Sequence, residues 1–229
     1  MLLSLDTAPR HSGLALYDGQ QIVAELNWHS VDAQTTELLP RLEQLMAWAA
    51  VRPADLAALA VSLGPGSFTG LRVAISLAKG MALAHRLALI GVQTLDATAY
   101  PHLGGPDPVC AVVQAGRGRV LWSIYEAWTP AAGDSAVALG GWRGRRTAIT
   151  LTDHAGLAAA IDRRTRLVGE LTPELRDLLA ARAGDLATLA GPAVATRRAG
   201  YVAELAWLRW QAGHTDDPST LSPIYLHEP

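Results

Sequence analysis

Two segments of this 229-residue chain carry residue types that could bind phosphate. Residues 64–72 read Gly-Pro-Gly-Ser-Phe-Thr-Gly-Leu-Arg and lie between an apolar run and a long stretch with helical spacing. A glycine turn before a helix can present free N–H groups to an anion, but it is also a common structural joint. Asp6-Thr7 ends the first apolar run, where a carboxylate could hold hydrated Mg²⁺ beside a phosphate.

Neither segment completes a nucleotide-binding motif. A P-loop needs a lysine directly after its glycines, and Lys79 lies about three turns into the helix. The dinucleotide fingerprint lacks its third glycine and a ribose-binding acid. Actin-like and sugar-kinase-like ATPases use a second aspartate in their second half, where this chain has Gln114. A neutral amide is a poor ligand for a hard cation, so we do not expect this chain alone to hydrolyse ATP.

The other reactive residue types indicate no catalytic or metal site. No two of the seven histidines show the i,i+4 spacing of a helical metal site. Cys110 is the only cysteine, which excludes a disulfide within the chain and a cysteine-based zinc site. No histidine lies near Ser62 or Ser67 in the sequence. We therefore expect no cofactor, no metal and no catalytic residue, and we do not expect peptidase activity.

Composition narrows the class of protein. The formal net charge is −2, so the chain lacks the overall basic character that is typical of a nucleic-acid binder. Two local arginine clusters could be solvated faces or contacts to RNA or a partner, at 143, 145 and 146 and at 163, 164 and 166. The N-terminus has no basic leader, and no window approaches ~18 uninterrupted apolar residues. We expect a cytoplasmic protein without a membrane contact.

The elements that must position these residues alternate between strands and helices, which predicts an α/β fold. Its two halves are related, and the second is degraded. Gly104-Gly105-Pro106-Asp107-Pro108 is the strongest linker signal and predicts domains at 1–103 and 104–229. Helices are predicted near 35–50, 67–84, 94–102, 153–161, 173–182 and 193–211, and the last could cross back to the first domain. Strands are predicted at 2–7, 12–17, 21–28, 59–63, 87–92, 109–113, 120–128 and 166–168.

The helix after the glycine turn has a ridge of small side chains. Gly70, Ala74, Ala78 and Ala82 recur every four residues, which would let another helix approach closely. Bulky apolar residues follow its other sides, and a helix this apolar is buried on more than one side. One of those sides could belong to another polypeptide, although the first helix and the sheet could also cover it.

Four segments in order resemble the bacterial TsaB (YeaZ) family. They are Leu5 through Ala8, Gly64 through Arg72, Gly91 through Leu95, and the closing Pro223-Ile224-Tyr225-Leu226. The glycine segment is the most specific of them. The resemblance is good through about residue 125 and loose from there to about 200.

This resemblance implies an actin-like ASKHA fold, ribonuclease H-like, with two subdomains. It implies a non-catalytic subunit that binds and activates the paralog TsaD in threonylcarbamoylation of the adenosine next to the anticodon of tRNAs reading ANN codons. TsaE, an ATPase, is the other implied partner, and contact with tRNA would be indirect or weak. Pairing would use the first two long helices, and a homodimer could use the same surface. The implied interface residues are Leu38, Leu42, Leu45, Phe68, Gly70, Leu71, Ala74, Ile75, Ala78 and Ala82.

The departures from the family pattern concern the expected nucleotide cleft. Gln34-Thr35 stands where family members often carry His-Ser or His-Thr, and Gln114 stands where an aspartate is common. Asp6 and Thr7 would then be remnants of that cleft. An accessory subunit is the favoured interpretation, and a nucleotide-dependent ASKHA enzyme acting by itself is the alternative.

Overall fold

A computed structural model describes residues 1–8, 11–30, 33–127, 137–139 and 142–225. The chain divides into two compact units. Unit 1 comprises Met1–Thr94 and Arg198–Pro229, and unit 2 comprises Leu95–Arg197. The predicted boundary at residue 103 therefore falls inside unit 2. Asp96 explains why, since its carboxylate accepts hydrogen bonds from Tyr125 and Arg146 of that unit.

Unit 1 is built on a five-stranded sheet in the order β3-β2-β1-β4-β5. The strands are β1 (Leu2–Asp6), β2 (His11–Tyr17), β3 (Ile22–His29), β4 (Ala58–Gly64) and β5 (Ala88–Gln93). The first three form the predicted antiparallel meander, and β4 and β5 continue the sheet in parallel with β1. Parallel neighbours need a crossover, and the helices between β3 and β5 provide it.

Helices cover both faces of this sheet. They are α1 (Gln34–Trp48) and α2 (Phe68–His85) on one face and α7 (Ala199–Gln211) on the other. Leu3 and Leu5 of β1 share a core with α1 and α2, whereas the Ser4 hydroxyl donates to the carbonyl of Ala199 at 2.8 Å. Alternate residues of a strand point to opposite faces, so α7 lies opposite the other two helices. Both α1 and α2 agree closely with the helices predicted at 35–50 and 67–84.

Unit 2 contains a seven-stranded sheet in the order β12-β11-β6-β7-β9-β8, with β10 paired to β7. Its strands are β6 (Val109–Gly116), β7 (Arg119–Ala127), β8 (Val137–Leu139), β9 (Trp142–Arg146), β10 (Thr150–Asp153), β11 (Thr165–Gly169) and β12 (Ala187–Leu189). The helices are α3 (Thr94–Ala99), which begins at the last residue of unit 1, α4 (His154–Ala160), α5 (Pro173–Arg182) and α6 (Pro192–Ala195).

The two sheets repeat one topology. In unit 1 β1 pairs antiparallel with β2 and parallel with β4, and in unit 2 β6 pairs antiparallel with β7 and parallel with β11. The outer pairs β4–β5 and β11–β12 are parallel as well. The two halves that the sequence predicted to be related thus share an order and direction of strands. The sheet of unit 2 has β8 and β10 in addition to this shared set.

The predicted helix at 193–211 is wrong as a single element. It is divided into α6 and α7, because Arg198 has extended backbone angles (φ −121°, ψ 145°). The interruption coincides with the return of the chain from unit 2 to unit 1. Among the described residues, no helix has both the length and the apolar character needed to cross a bilayer.

Candidate functional site

The glycine segment forms a junction with the turn after β1. A Cβ atom on Gly70 would lie 2.0 Å from the carbonyl oxygen of Thr7, and one on Gly66 would lie 2.4 Å from that of Ala8. Both distances are far below van der Waals contact with backbone atoms. The two glycines are therefore required because two backbone segments approach each other closely, a role that does not involve a ligand.

Polar groups of the same segments are bonded within the protein. The Ser67 side chain accepts a hydrogen bond from the N–H of Gly70 at 3.2 Å, as predicted for a helix cap. The N–H of Ser67 donates to the carbonyl of Ala8, and the Thr7 hydroxyl donates to the carbonyl of Gly70 at 2.6 Å. Two backbone donors that a phosphate cradle would need are thus already used by the protein.

The closing segment of the chain packs against the same junction. The N–H of Ile224 donates to the carbonyl of Leu63 at 2.8 Å, next to Gly64, whose φ of +104° favours glycine. The Arg72 guanidinium lies 3.6 Å from the ring centroid of Phe68, and its Nε donates to the Tyr225 hydroxyl at 2.7 Å. An arginine stacked on one aromatic ring and bonded to another has little rotational freedom.

The segment from Gly91 through Leu95 contacts the end of β4 through Gly91. A Cβ on Gly91 would lie 2.5 Å from the Leu63 side chain, and its N–H donates to the Asp216 carboxylate at 2.7 Å. Its carbonyl accepts from Arg209 of α7. Apart from Leu95, the described residues of these four segments therefore lie in unit 1 around the carboxyl ends of β1, β4 and β5.

The two residues predicted as remnants of a nucleotide cleft are buried in unit 1. Asp6 is 1% exposed and Thr7 is fully buried. The Asp6 carboxylate accepts from the N–H of Ala8 at 3.3 Å, which is long for a hydrogen bond. In the described part of the chain, no three His, Cys, Asp or Glu side chains are grouped as metal ligands.

In unit 2, Gln114 is tied to a carboxylate that the sequence did not single out. Its backbone N–H donates to Oε2 of Glu170 at 2.7 Å, and its side-chain amide donates to the carbonyl of Glu170 at 2.7 Å. Glu170 directly follows β11, the strand parallel to β6. The sequence feature that could have identified Glu170 is its position just after the predicted strand 166–168. The amide at 114 thus has a structural partner within its own unit.

Most of the predicted interface residues are in the core instead. Nine of the ten are buried in unit 1, and eight of these side chains are at most 4% exposed: Leu38, Leu42, Leu45, Leu71, Ala74, Ile75, Ala78 and Ala82. The ninth, Gly70, faces the turn after β1. The ridge of small residues lets α2 lie close to its own sheet and α1. Only Phe68, at 54% exposed, remains accessible to a partner.

A different face of the same helices is exposed. On α2 it carries Leu83, 71% exposed, beside the small residues Ser76, Gly80 and Ala84. On α1, Leu39 and Trp48 are 51% and 65% exposed; nine residues apart, they lie on opposite sides of that helix, one at each edge of its buried face. These six residues and Phe68 are called the exposed α1–α2 surface below. Ser76, Gly80 and Ala84 also recur every four residues, so spacing alone could not tell this face from the buried ridge.

The described arginines of the two clusters are partly neutralised by carboxylates. Arg146 donates to Asp96 at 2.6 Å, and Arg164 lies 3.1 Å from Asp107. Arg163 forms an ion pair with Glu126. The side chains of 143 and 145 lie outside the described residues. These pairs favour the interpretation of the clusters as solvated faces.

Comparison with solved structures defines the fold class. The chain superposes on YeaZ from Pseudomonas aeruginosa with a TM-score of 0.76 and 23% identity, covering 98% of this chain and 99% of that one. Together with the strand order repeated in the two units, this establishes an actin-like ASKHA fold with two α/β subdomains.

Sequence comparison gives the family. Residues 31–226 match the family described as TsaD, tRNA N6-adenosine threonylcarbamoyltransferase. The chain is 33% identical over 127 residues to the tRNA threonylcarbamoyladenosine biosynthesis protein TsaB of Escherichia coli (strain K12), and 32% identical over 125 residues to TsaB of Haemophilus influenzae. The matches cover 55% and 53% of this chain, and the chain spans about half the length of these relatives, 54% and 52%. The chain belongs to this TsaD family, and its similarity to TsaB of several bacteria and to YeaZ confirms the predicted TsaB (YeaZ) resemblance.

Proposed function

We propose that this chain is a non-catalytic subunit that binds and activates a TsaD paralog in the threonylcarbamoylation of the adenosine next to the anticodon of tRNAs reading ANN codons. The observation that carries the proposal is the exposed α1–α2 surface. Leu83 and Trp48 have most of their side chains in water, although both helices have well-buried inner faces. Large apolar side chains left exposed on two helices that pack together favour a protein interface.

The composition of this surface also suits an interface between helices. Ser76, Gly80 and Ala84 leave a shallow track along α2, and no atom outside the helix backbone lies within 4 Å of a Cβ placed on Gly80. A partner helix could approach this track closely, with Leu83 beside it. At the start of α2, Phe68 and Arg72 are held together with Tyr225. Aromatic residues and arginine are enriched among residues that dominate binding energy.

The junction supports a scaffold role over an enzyme acting by itself. The glycines of residues 64–72 are used for close backbone packing, and Thr7 is hydrogen-bonded to α2. Gln114 is held by Glu170 in its own unit. We propose that TsaE joins the pair as a third component, and that a second copy of this chain could occupy the exposed α1–α2 surface when TsaD is absent.

Size-exclusion chromatography with light scattering, with and without the cognate TsaD, tests the pairing. Leu83→Arg should prevent the complex from forming while the circular dichroism spectrum stays unchanged. The matched control is Leu208→Arg, because Leu208 is 41% exposed on α7, on the opposite face of the sheet. It should leave pairing intact. Ala78→Arg should unfold unit 1, since Ala78 is fully buried.

The function itself is tested by a reconstituted modification assay that omits only this chain. We expect modification to fall to background without it and to be restored by the wild-type chain but not by Leu83→Arg. Full modification without this chain would refute the proposal. Calorimetry with ATP and Mg²⁺ separates the alternative: an enzyme acting alone should bind nucleotide, and Asp6→Asn should abolish that binding.

A further inference from the structure

The first turns of α2 hold an arginine in one orientation. Phe68 and Arg72 are one helical turn apart, and the guanidinium of Arg72 lies 3.6 Å from the Phe68 ring centroid. Its Nε donates to the Tyr225 hydroxyl at 2.7 Å, and the ring centroids of Tyr225 and Phe68 are 5.2 Å apart. The backbone beside Tyr225 is also fixed, because the N–H of Ile224 donates to the carbonyl of Leu63. The guanidinium is therefore oriented before any partner binds.

These contacts leave one edge of the guanidinium for a further ligand. Tyr225 uses Nε, and the Phe68 ring covers one face, so the two Nη groups form the remaining edge. The Arg72 side chain is exposed to solvent. Two parallel N–H donors on such an edge match the two oxygens of a carboxylate. The geometry of Arg72 thus suits an acidic side chain.

The charges of α2 favour an acidic group from outside the described chain. The helix contains Arg72 and Lys79 but no aspartate or glutamate. Lys79 has an acidic neighbour, since hydrogen bonds from Ser219 lower the pKa of Asp217 and the charge of Lys79 lowers it further. Arg41 of α1 pairs with a carboxylate of its own helix. Among the described residues, no carboxylate forms an ion pair with Arg72, so a partner would have to supply one.

Arg72 lies on the side of α2 that carries the exposed α1–α2 surface. Ser76 follows it by one turn, and Leu83 follows it by about three turns. The three residues therefore lie on one side of the helix, over roughly 16 Å along its axis. A partner helix that covers Leu83 along this side also reaches Arg72. The apolar surroundings favour a protein over tRNA, because binding to a phosphate backbone uses several basic residues and α2 has only Arg72 and Lys79.

We propose that the two Nη groups of Arg72 bind a carboxylate side chain of the TsaD paralog, and that Tyr225 is the positioning residue that directs them. Because this specifies one contact of the exposed α1–α2 surface, it rests on the proposed function. The carboxylate accepts two hydrogen bonds from the guanidinium, while the Phe68 ring keeps water from the covered face. The closing segment then contributes to pairing through Tyr225, although Tyr225 is far from α2 in the sequence.

Calorimetric titration of the full chain with the cognate TsaD measures this contact. Arg72→Lys should weaken pairing by at least about tenfold, because an ammonium keeps the charge but cannot hold a carboxylate with two parallel bonds. Tyr225→Phe should weaken pairing by about three- to tenfold, since it removes one hydrogen bond and keeps the ring. Added to Arg72→Lys, Tyr225→Phe should have no further effect, because Tyr225 acts through the guanidinium.

The matched control is Arg41→Lys. Arg41 is also stacked on an aromatic ring, 4.7 Å from the centroid of Trp28, but Glu37 of its own helix already supplies the carboxylate. This variant should pair with TsaD like the wild type, and circular dichroism shows whether each variant is folded.

The acidic group is identified by replacing the aspartates and glutamates of TsaD with their amides, one at a time. One such replacement should weaken pairing with the wild-type chain by at least about tenfold and leave pairing with Arg72→Lys unchanged.

Equal pairing by the wild type and Arg72→Lys would overturn the proposal, and so would the absence of any coupled carboxylate in TsaD. It would also be overturned if Arg72→Lys lowered only tRNA binding or only self-association of this chain. These results leave the proposed function standing as long as Leu83→Arg still prevents pairing. If the wild-type chain itself does not pair with TsaD, the proposed function is refuted, and the contact with it.

Discussion

The close approach at the signature junction predicts that the same substitution will have opposite effects at two positions of α2. Gly70→Ala places a Cβ 2.0 Å from the carbonyl oxygen of Thr7, whereas the Cβ of Gly80→Ala meets nothing within 4 Å. Both changes favour the helix, because alanine is better than glycine inside a helix by about 0.5–1 kcal/mol. Only the first change adds a steric overlap.

The size of the effect follows from that overlap. A carbon and a carbonyl oxygen rarely approach within 3.0 Å. In Gly70→Ala, the turn after β1 and the helix α2 must therefore move apart by about 1 Å. The overlap is with backbone on both sides and cannot be relieved by a rotamer change. Its cost should lie at the upper end of overpacking values, about 3 kcal/mol. Subtracting the helix gain leaves a net loss of about 2 kcal/mol for Gly70→Ala.

Thermal and urea unfolding measure both variants. At about 2–4 °C per kcal/mol for a chain of this size, Gly70→Ala should lower Tm by roughly 4–8 °C and Gly80→Ala should raise it by roughly 1–4 °C. The protein must be dilute enough to be monomeric by light scattering, because Gly80 belongs to the exposed α1–α2 surface. The reasoning would be refuted if Gly70→Ala were as stable as Gly80→Ala.

Three further predictions concern unit 2. Tyr125→Phe should destabilise it by about 1–3 kcal/mol in urea unfolding, because the fully buried Tyr125 hydroxyl donates to Asp96 at 2.7 Å and the carboxylate loses that donor. Burial raises the pKa of the Cys110 thiol, so Ellman's reagent should label it only after denaturation, and rapid labelling of the native protein would contradict its burial. Burial, aided by the charge of Arg166, lowers the pKa of His102 in the folded protein. The unfolded state therefore binds a proton at His102 more readily than the folded state does. The stability that the neutral His102 contributes is present above about pH 6.5 and is lost as the pH falls toward the folded pKa. His102→Gln should flatten the dependence of the urea midpoint on pH between about 7 and 5, and an unchanged slope would count against it.

Local sequence features were sufficient for the five strands of unit 1 and for α1 and α2. Alternating and continuous apolar runs predicted β1–β5, and the serine after the glycine turn predicted the cap of α2. These features depend on neighbours within a few residues, which the sequence displays directly. The predicted helix 193–211 failed because its interruption is set by the passage between the two units, which no local signal reports.

The side of a helix that faces the core is a tertiary property. Gly70, Ala74 and Ala78 have the same spacing as Ser76, Gly80 and Ala84, and only packing against the sheet shows that the first set is buried. The four conspicuous segments were recognisable in the sequence, and they indicated the family. What they do there was decided by folding, which brings Thr7 against Gly70 and Ile224 against Leu63. Glycine in residues 64–72 is required by these backbone contacts, and they join residues far apart in the chain.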